Sequence, residues 1–191
     1  MGTVLRKSSQ LLFRWHSTRG KFLTVKNMRT SLKISFLPVF FASCVFETPF
    51  ESNSTIPVKK EWLGEWETKP SGDKEAPEKA RLLKYSDNEY LLEYPVGKKA
   101  MFFRAFSVAL SGAEYLQVQL IGTNGEALKL EDRKYHLLKM KLDGDQLSVQ
   151  AIAPDLIGKD LKDSAAMKAA FAAHKDDPAL FEEAMIFKRI P

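Results

Sequence analysis

Cys44, His136 and His174 are the residues of this chain best suited by type to nucleophilic, acid–base or metal chemistry. With a single cysteine, no intrachain disulfide and no multi-cysteine metal centre can form. His136 alternates with Leu138 and Met140, which predicts a histidine on a core or barrel-lining face rather than a general base. His174 precedes Lys175-Asp176-Asp177 at the end of an alanine-rich run. There an imidazole sits favourably against the negative end of a helix, without a ligand. No catalytic residue, no metal-binding set and no cofactor is therefore expected.

Ser71-Gly72-Asp73-Lys74 and Ser86-Asp87-Asn88 match the S-x-x-K and S-D-N motifs of penicillin-recognising enzymes. That chemistry requires a helix to place the lysine one turn from the serine. Here Pro70 and Gly72 predict a loop, no K-T-G follows, and the chain is too short for the fold.

The one cysteine reads differently in its own context. From Met28 the chain runs through Arg29 and Lys33, an apolar stretch over 34–41, and the small residues Ala42 and Ser43 to Cys44. This is the layout of a secretory signal peptide. The apolar stretch, interrupted by Pro38, is too short to span about 30 Å of hydrocarbon as a helix. Phe41-Ala42-Ser43-Cys44 resembles the lipobox of bacterial lipoproteins, with Phe41 where that family prefers leucine. The resemblance implies palmitate-type acylation of Cys44, removal of the 1–43 leader, and anchoring in the lipid bilayer of the bacterial cell envelope. Val45, where a retention signal would place Asp, points by the same resemblance to the outer membrane facing the periplasm. Residues 1–27 are basic and free of acids, which suits either a start at Met28 or a mitochondrial transit peptide. A free Cys44 thiol in an apolar segment is the plainer alternative.

Charge separates leader from domain. Eight of the 29 Lys/Arg lie in residues 1–46, which hold no Asp or Glu. The remaining 21 basic residues face 24 acidic ones, a formal charge of about −3 over 47–191. A mildly acidic domain without a basic stripe is not built for phosphate backbones, so nucleic acid is not an expected partner.

The elements that must position these residues are mostly strands. Residues 44–57, with Pro49, Ser52, Asn53, Ser54, Thr55 and Pro57, have the composition of a lipidated tether. The segment 58–191 then reads as one domain. Strands are predicted over 62–68, 80–85, 89–94, 100–110, 115–120, 134–142, 147–151 and 184–190, with reversals at 86–88, 111–112, 122–125 and 143–145. Helices are predicted over 154–162 and, capped by Asp163 or Ser164, over 164–174. The result is a mainly β fold: an antiparallel up-and-down barrel or half-barrel with one or two short helices before the last strand.

Gly64-Glu65-Trp66 at the opening strand and Arg189 on the closing one resemble the G-x-W and arginine of the lipocalin (calycin) barrels. Beyond them, the strand order over 60–191 is similar to uncharacterised lipocalin-like bacterial lipoproteins. The resemblance implies Trp66 plugging one barrel end with Arg189 across it, and a small apolar or amphipathic ligand inside. Phe106, Val118, His136, Leu138 and Met140 are the expected ligand-lining residues. The alternative is a structural lipoprotein with a filled core that docks another envelope protein.

Overall fold

The computed structural model describes residues 45–69, 76–158 and 160–191. Nine strands are present among them: β1 (Gly64–Thr68), β2 (Lys79–Lys84), β3 (Tyr90–Tyr94), β4 (Met101–Leu110), β5 (Ala113–Thr123), β6 (Glu126–Ala127), β7 (Tyr135–Asp143), β8 (Gln146–Ala151) and β9 (Met185–Arg189). Every pairing is antiparallel. The order β4-β3-β2-β1-β9-β8-β7-β5, with β4 also paired to β5, closes the sheet on itself. Eight strands thus form an up-and-down barrel with no free edge, and the two-residue β6 is appended to the end of β5. The antiparallel barrel expected from the strand spacing is the fold observed.

Local chemistry explains the hairpins. Asn124 (φ 50°) and Gly125 (φ 86°) join Thr123 to Glu126 in a two-residue turn whose positive φ values match the twist of the flanking strands. β5 is longer at both ends than the alternating 115–120 run predicts, because its pairing with β4 continues to Ala113 opposite Leu110 and to Thr123 opposite Met101.

Alternation sets what lies inside. Register brings Trp66 against Ala80, Leu92 against Phe103, Ala105 against Val118, Leu138 against Ala151 and Leu147 against Phe187. These residues make one interior core. A second core lies outside the wall, where Phe106, Val108 and Leu110 of β4 and Tyr115 of β5 meet Met167 and Phe171 of helix α2 (Ser164–His174). Asp163 caps α2, accepting from the amides of Ala165 at 3.1 Å and Ala166 at 3.2 Å. The preceding helix α1 is only Pro154–Ile157, since the chain turns at Gly158 with φ 88° instead of continuing to 162.

Residues 45–57, expected to be a free tether, run along the outer wall instead. Phe46 and Phe50 are fully buried in the outer core. Phe46 exchanges backbone bonds with Tyr135 at 2.8 and 2.9 Å. The buried Gln117 side chain accepts from the amides of Phe50 (2.7 Å) and Glu51 (3.1 Å) and donates to the Glu51 carbonyl (2.9 Å). Further along, Ser54 donates to the Asn88 carbonyl at 2.5 Å and the Val58 amide to the Asp87 carbonyl at 2.9 Å. This strap therefore leads from the start of β7 to the β2–β3 turn. From there a 3₁₀ turn at Lys60–Trp62 enters β1.

Candidate functional site

One end of the barrel is closed by groups drawn from both ends of the domain. Trp62, buried in the interior core, receives at its carbonyl the indole N–H of Trp66 at 3.0 Å. Arg189 lies over the Trp66 ring, Cζ 4.2 Å from the centroid, with Nη1 donating to the Leu63 carbonyl at 2.8 Å and Nη2 to that of Glu61. Gly64 (φ 126°) makes room for this arrangement, because a Cβ there would stand 3.0 Å from Nη1. The phenol of Tyr90 accepts from the Lys59 amide at 2.7 Å, and burial pushes its pKa up. Lys59 itself pairs with Glu114 at 2.9 Å and lies 4.5 Å over the Trp62 ring.

Inside the barrel is an apolar cavity of about 50 Å³. Its walls include Trp66, Leu82, Leu116, Leu147, Val149 and Phe187, together with the partly buried Leu92, Met140 and Met185. Tyr94 closes one side, its ring edge-on to Phe187 at 5.9 Å. Its hydroxyl donates to the Glu78 carboxylate, and burial first, then that carboxylate, holds the phenol far above its ordinary range. The volume exceeds the ~10–15 Å³ that admits one water, but an apolar lining gives water no partners. It falls short of the ~150 Å³ that takes up benzene without rearrangement.

The five residues expected to line a ligand site divide three ways. Leu138 and Met140 line the cavity. Val118 and His136, opposite one another in the β5–β7 ladder, are buried on the same inward face, where the Phe103 ring stands edge-on to His136 at 6.3 Å and the interior is filled. Phe106 faces the other way. Phe103, Ala105 and Ser107 take the inward positions of β4, so Phe106 is paired with Gln117 in the outer core under α2. Cys44, the expected lipid-attachment residue, the 1–43 leader and the Ser71-to-Lys74 motif lie outside the described residues.

Sequence reasoning did not single out Glu78, Tyr94 or Met185. Glu78 sits in a stretch of charges, Pro and Gly that reads as a loop, and Tyr94 reads as the last residue of a hairpin arm. Their common signal is parity: Glu78, Ala80 and Leu82 are two residues apart and share a face, but only with the β2–β3 register known does that face meet Tyr94.

No protein-family model, no curated protein and no solved structure matches this chain. Among the described residues no helix is long and apolar enough to cross a membrane.

Proposed function

We propose that this protein is a lipocalin-like binding module, held at a membrane by acylation of Cys44, that takes a small apolar or amphipathic molecule into its barrel. The observation that carries the reading is the wholly apolar cavity inside a closed eight-stranded wall. An eight-stranded barrel is wide enough either to be filled by its own side chains or to hold one small ligand. Here the filling is incomplete, and unbranched Met140 and Met185 stand at the gap. Methionine yields more readily than Leu or Val, so a group larger than the resting void can enter at small cost.

Membrane attachment supports this role through geometry. Val45 is the only residue between Cys44 and Phe46, which is paired to Tyr135 on the wall. Two residues reach roughly 7 Å at most. An anchor at position 44 thus holds the barrel against the bilayer of the bacterial envelope, where apolar molecules are concentrated. The docking alternative has less to rest on. Among the described residues the exposed large apolar side chains, Leu83, Tyr85, Leu130 and Ile186, are spread over β2, its turn, a 3₁₀ turn and β9.

The test is native mass spectrometry of the full chain extracted from cell membranes, with palmitate labelling of the same material. A co-purified apolar species of defined mass, and label lost in Cys44→Ser, are the expected results. A mass equal to the unmodified polypeptide, together with failure of added neutral apolar probes to enter, would overturn the reading.

A further inference from the structure

Four partly buried glutamates of the barrel wall are paired with a cation. Glu67 of β1 is not, but it alternates with the inward Trp66 and so faces away from the interior, whereas Glu78 lies on the side of the cavity. Glu65 and Glu93 share Arg81 at 2.8 and 2.9 Å, Glu89 pairs with Arg104, and Glu114 with Lys59 at 2.9 Å. Glu78 has no ion pair among the described residues, and its carboxylate accepts from the Tyr94 hydroxyl. It immediately precedes β2 and lies on the same face as Ala80, which lines the cavity, as the Tyr94 ring does. A carboxylate one hydrogen bond from an apolar void, with no cation paired to it among the described residues, favours positive over negative charge there.

We infer that the barrel selects amphipaths whose short alkyl or aryl group occupies the cavity and whose head is cationic, an alkylammonium, paired with Glu78 at the Tyr94 side. The inference rests on the binding reading above and adds the ligand's chemical class. A fatty acid of the same length would bring a second carboxylate against Glu78. Like charges at that distance cost what the ammonium gains, so the two heads are separated from both sides. A neutral alcohol, able to donate one hydrogen bond to Glu78, falls between them.

The test displaces the neutral fluorophore N-phenyl-1-naphthylamine from the full chain at pH 7 with octylamine, octanol and octanoate. Octylamine is expected to compete at least about tenfold better than octanoate, the range of one charge-assisted hydrogen bond. In Glu78→Gln that ratio should fall to about twofold with octanol unchanged, and Tyr94→Phe should keep the order of the three. Octanoate equalling octylamine on the native protein would overturn the headgroup inference while leaving the binding reading intact. So would an equal loss of all three ligands in Glu78→Gln, which marks a merely structural carboxylate. Failure of the fluorophore itself to bind would remove both readings.

Discussion

Arg189 divides its guanidinium between the face of Trp66 and the carbonyls of Glu61 and Leu63, so one side chain ties the last strand to the first and to the turn that caps the barrel. Arg189→Ala removes the stacking and leaves two carbonyls to find other donors. A loss of about 2–4 kcal/mol is expected from charged hydrogen bonds and one cation–π contact. Arg189→Lys should recover less than half, because an ammonium cannot stack and fork at once. Gly64→Ala should cost roughly 1–3 kcal/mol by forcing a side chain onto φ 126° and against Nη1. Urea unfolding at fixed pH reads all three. Tyrosine titration belongs to the same scale. Burial is the leading cause that raises the phenols of Tyr90, Tyr94 and Tyr115. Their contribution to stability is complete below about pH 10, where unfolded phenols keep their protons. It is lost as pH climbs through the raised folded values, so the urea midpoint should fall steadily from pH 10 upward and fall less steeply in Tyr94→Phe. The spacing of Gly64, Trp66 and Arg189 was visible in the sequence. The pairing of Glu78 with Tyr94 was not, since it depends on the register of two strands rather than on any local pattern.

At the scale of elements, the hairpins were legible because turn residues and alternation agree at 86–88, 111–112 and 143–145, while the reversal read at 122–125 tightens to 124–125 because β5 stays paired through Thr123. Helix α2 was legible for the same reason, with its Asp163 cap and its alanine run both pointing to Ser164–His174. The strap was not. Pro, Ser, Thr and Asn dominate 45–57, and Phe46 and Phe50 gain meaning only when a groove between α2 and the wall exists to receive them. Gln117 likewise reads as the solvent side of an alternating strand, yet it is buried and holds the strap by three hydrogen bonds. Gln117→Ala would strip partners from two amides and a carbonyl, costing roughly 2–4 kcal/mol. Phe50→Ala opens a cavity among Phe46, Phe171 and the β4–β5 wall, with an expected loss of about 3–5 kcal/mol. Both variants should also bring protease cleavage into 45–57 of the full chain while the barrel persists, because the strap packs on the outer core and not the inner one. Cleavage confined elsewhere, or simultaneous loss of both cores, would show that the strap is part of the barrel's own folding unit.

On the scale of the whole molecule, a closed barrel with two cores lets stability and binding be separated by where a side chain is cut. The outer core carries α2 and the strap, and substitutions there should lower stability without touching an interior ligand. The inner core is where the two effects have opposite signs. Leu138 lines the cavity and is 3% exposed. Leu138→Ala would cost about 2–5 kcal/mol in folding free energy, through lost burial and the enlarged void. The same substitution brings the cavity from about 50 Å³ toward the size that accepts a benzene-sized group without rearrangement, so a neutral aromatic probe should bind more tightly to the less stable protein. Met140→Trp should do the reverse, filling the void with an aromatic ring and abolishing probe binding. A barrel whose interior serves only as packing predicts something else: the same loss of stability in Leu138→Ala, with a void that the surrounding Leu, Val and Met side chains collapse to fill and no gain in probe affinity. Calorimetric titration of the two variants beside their unfolding curves separates a lumen built to admit a guest from one that is merely imperfectly full.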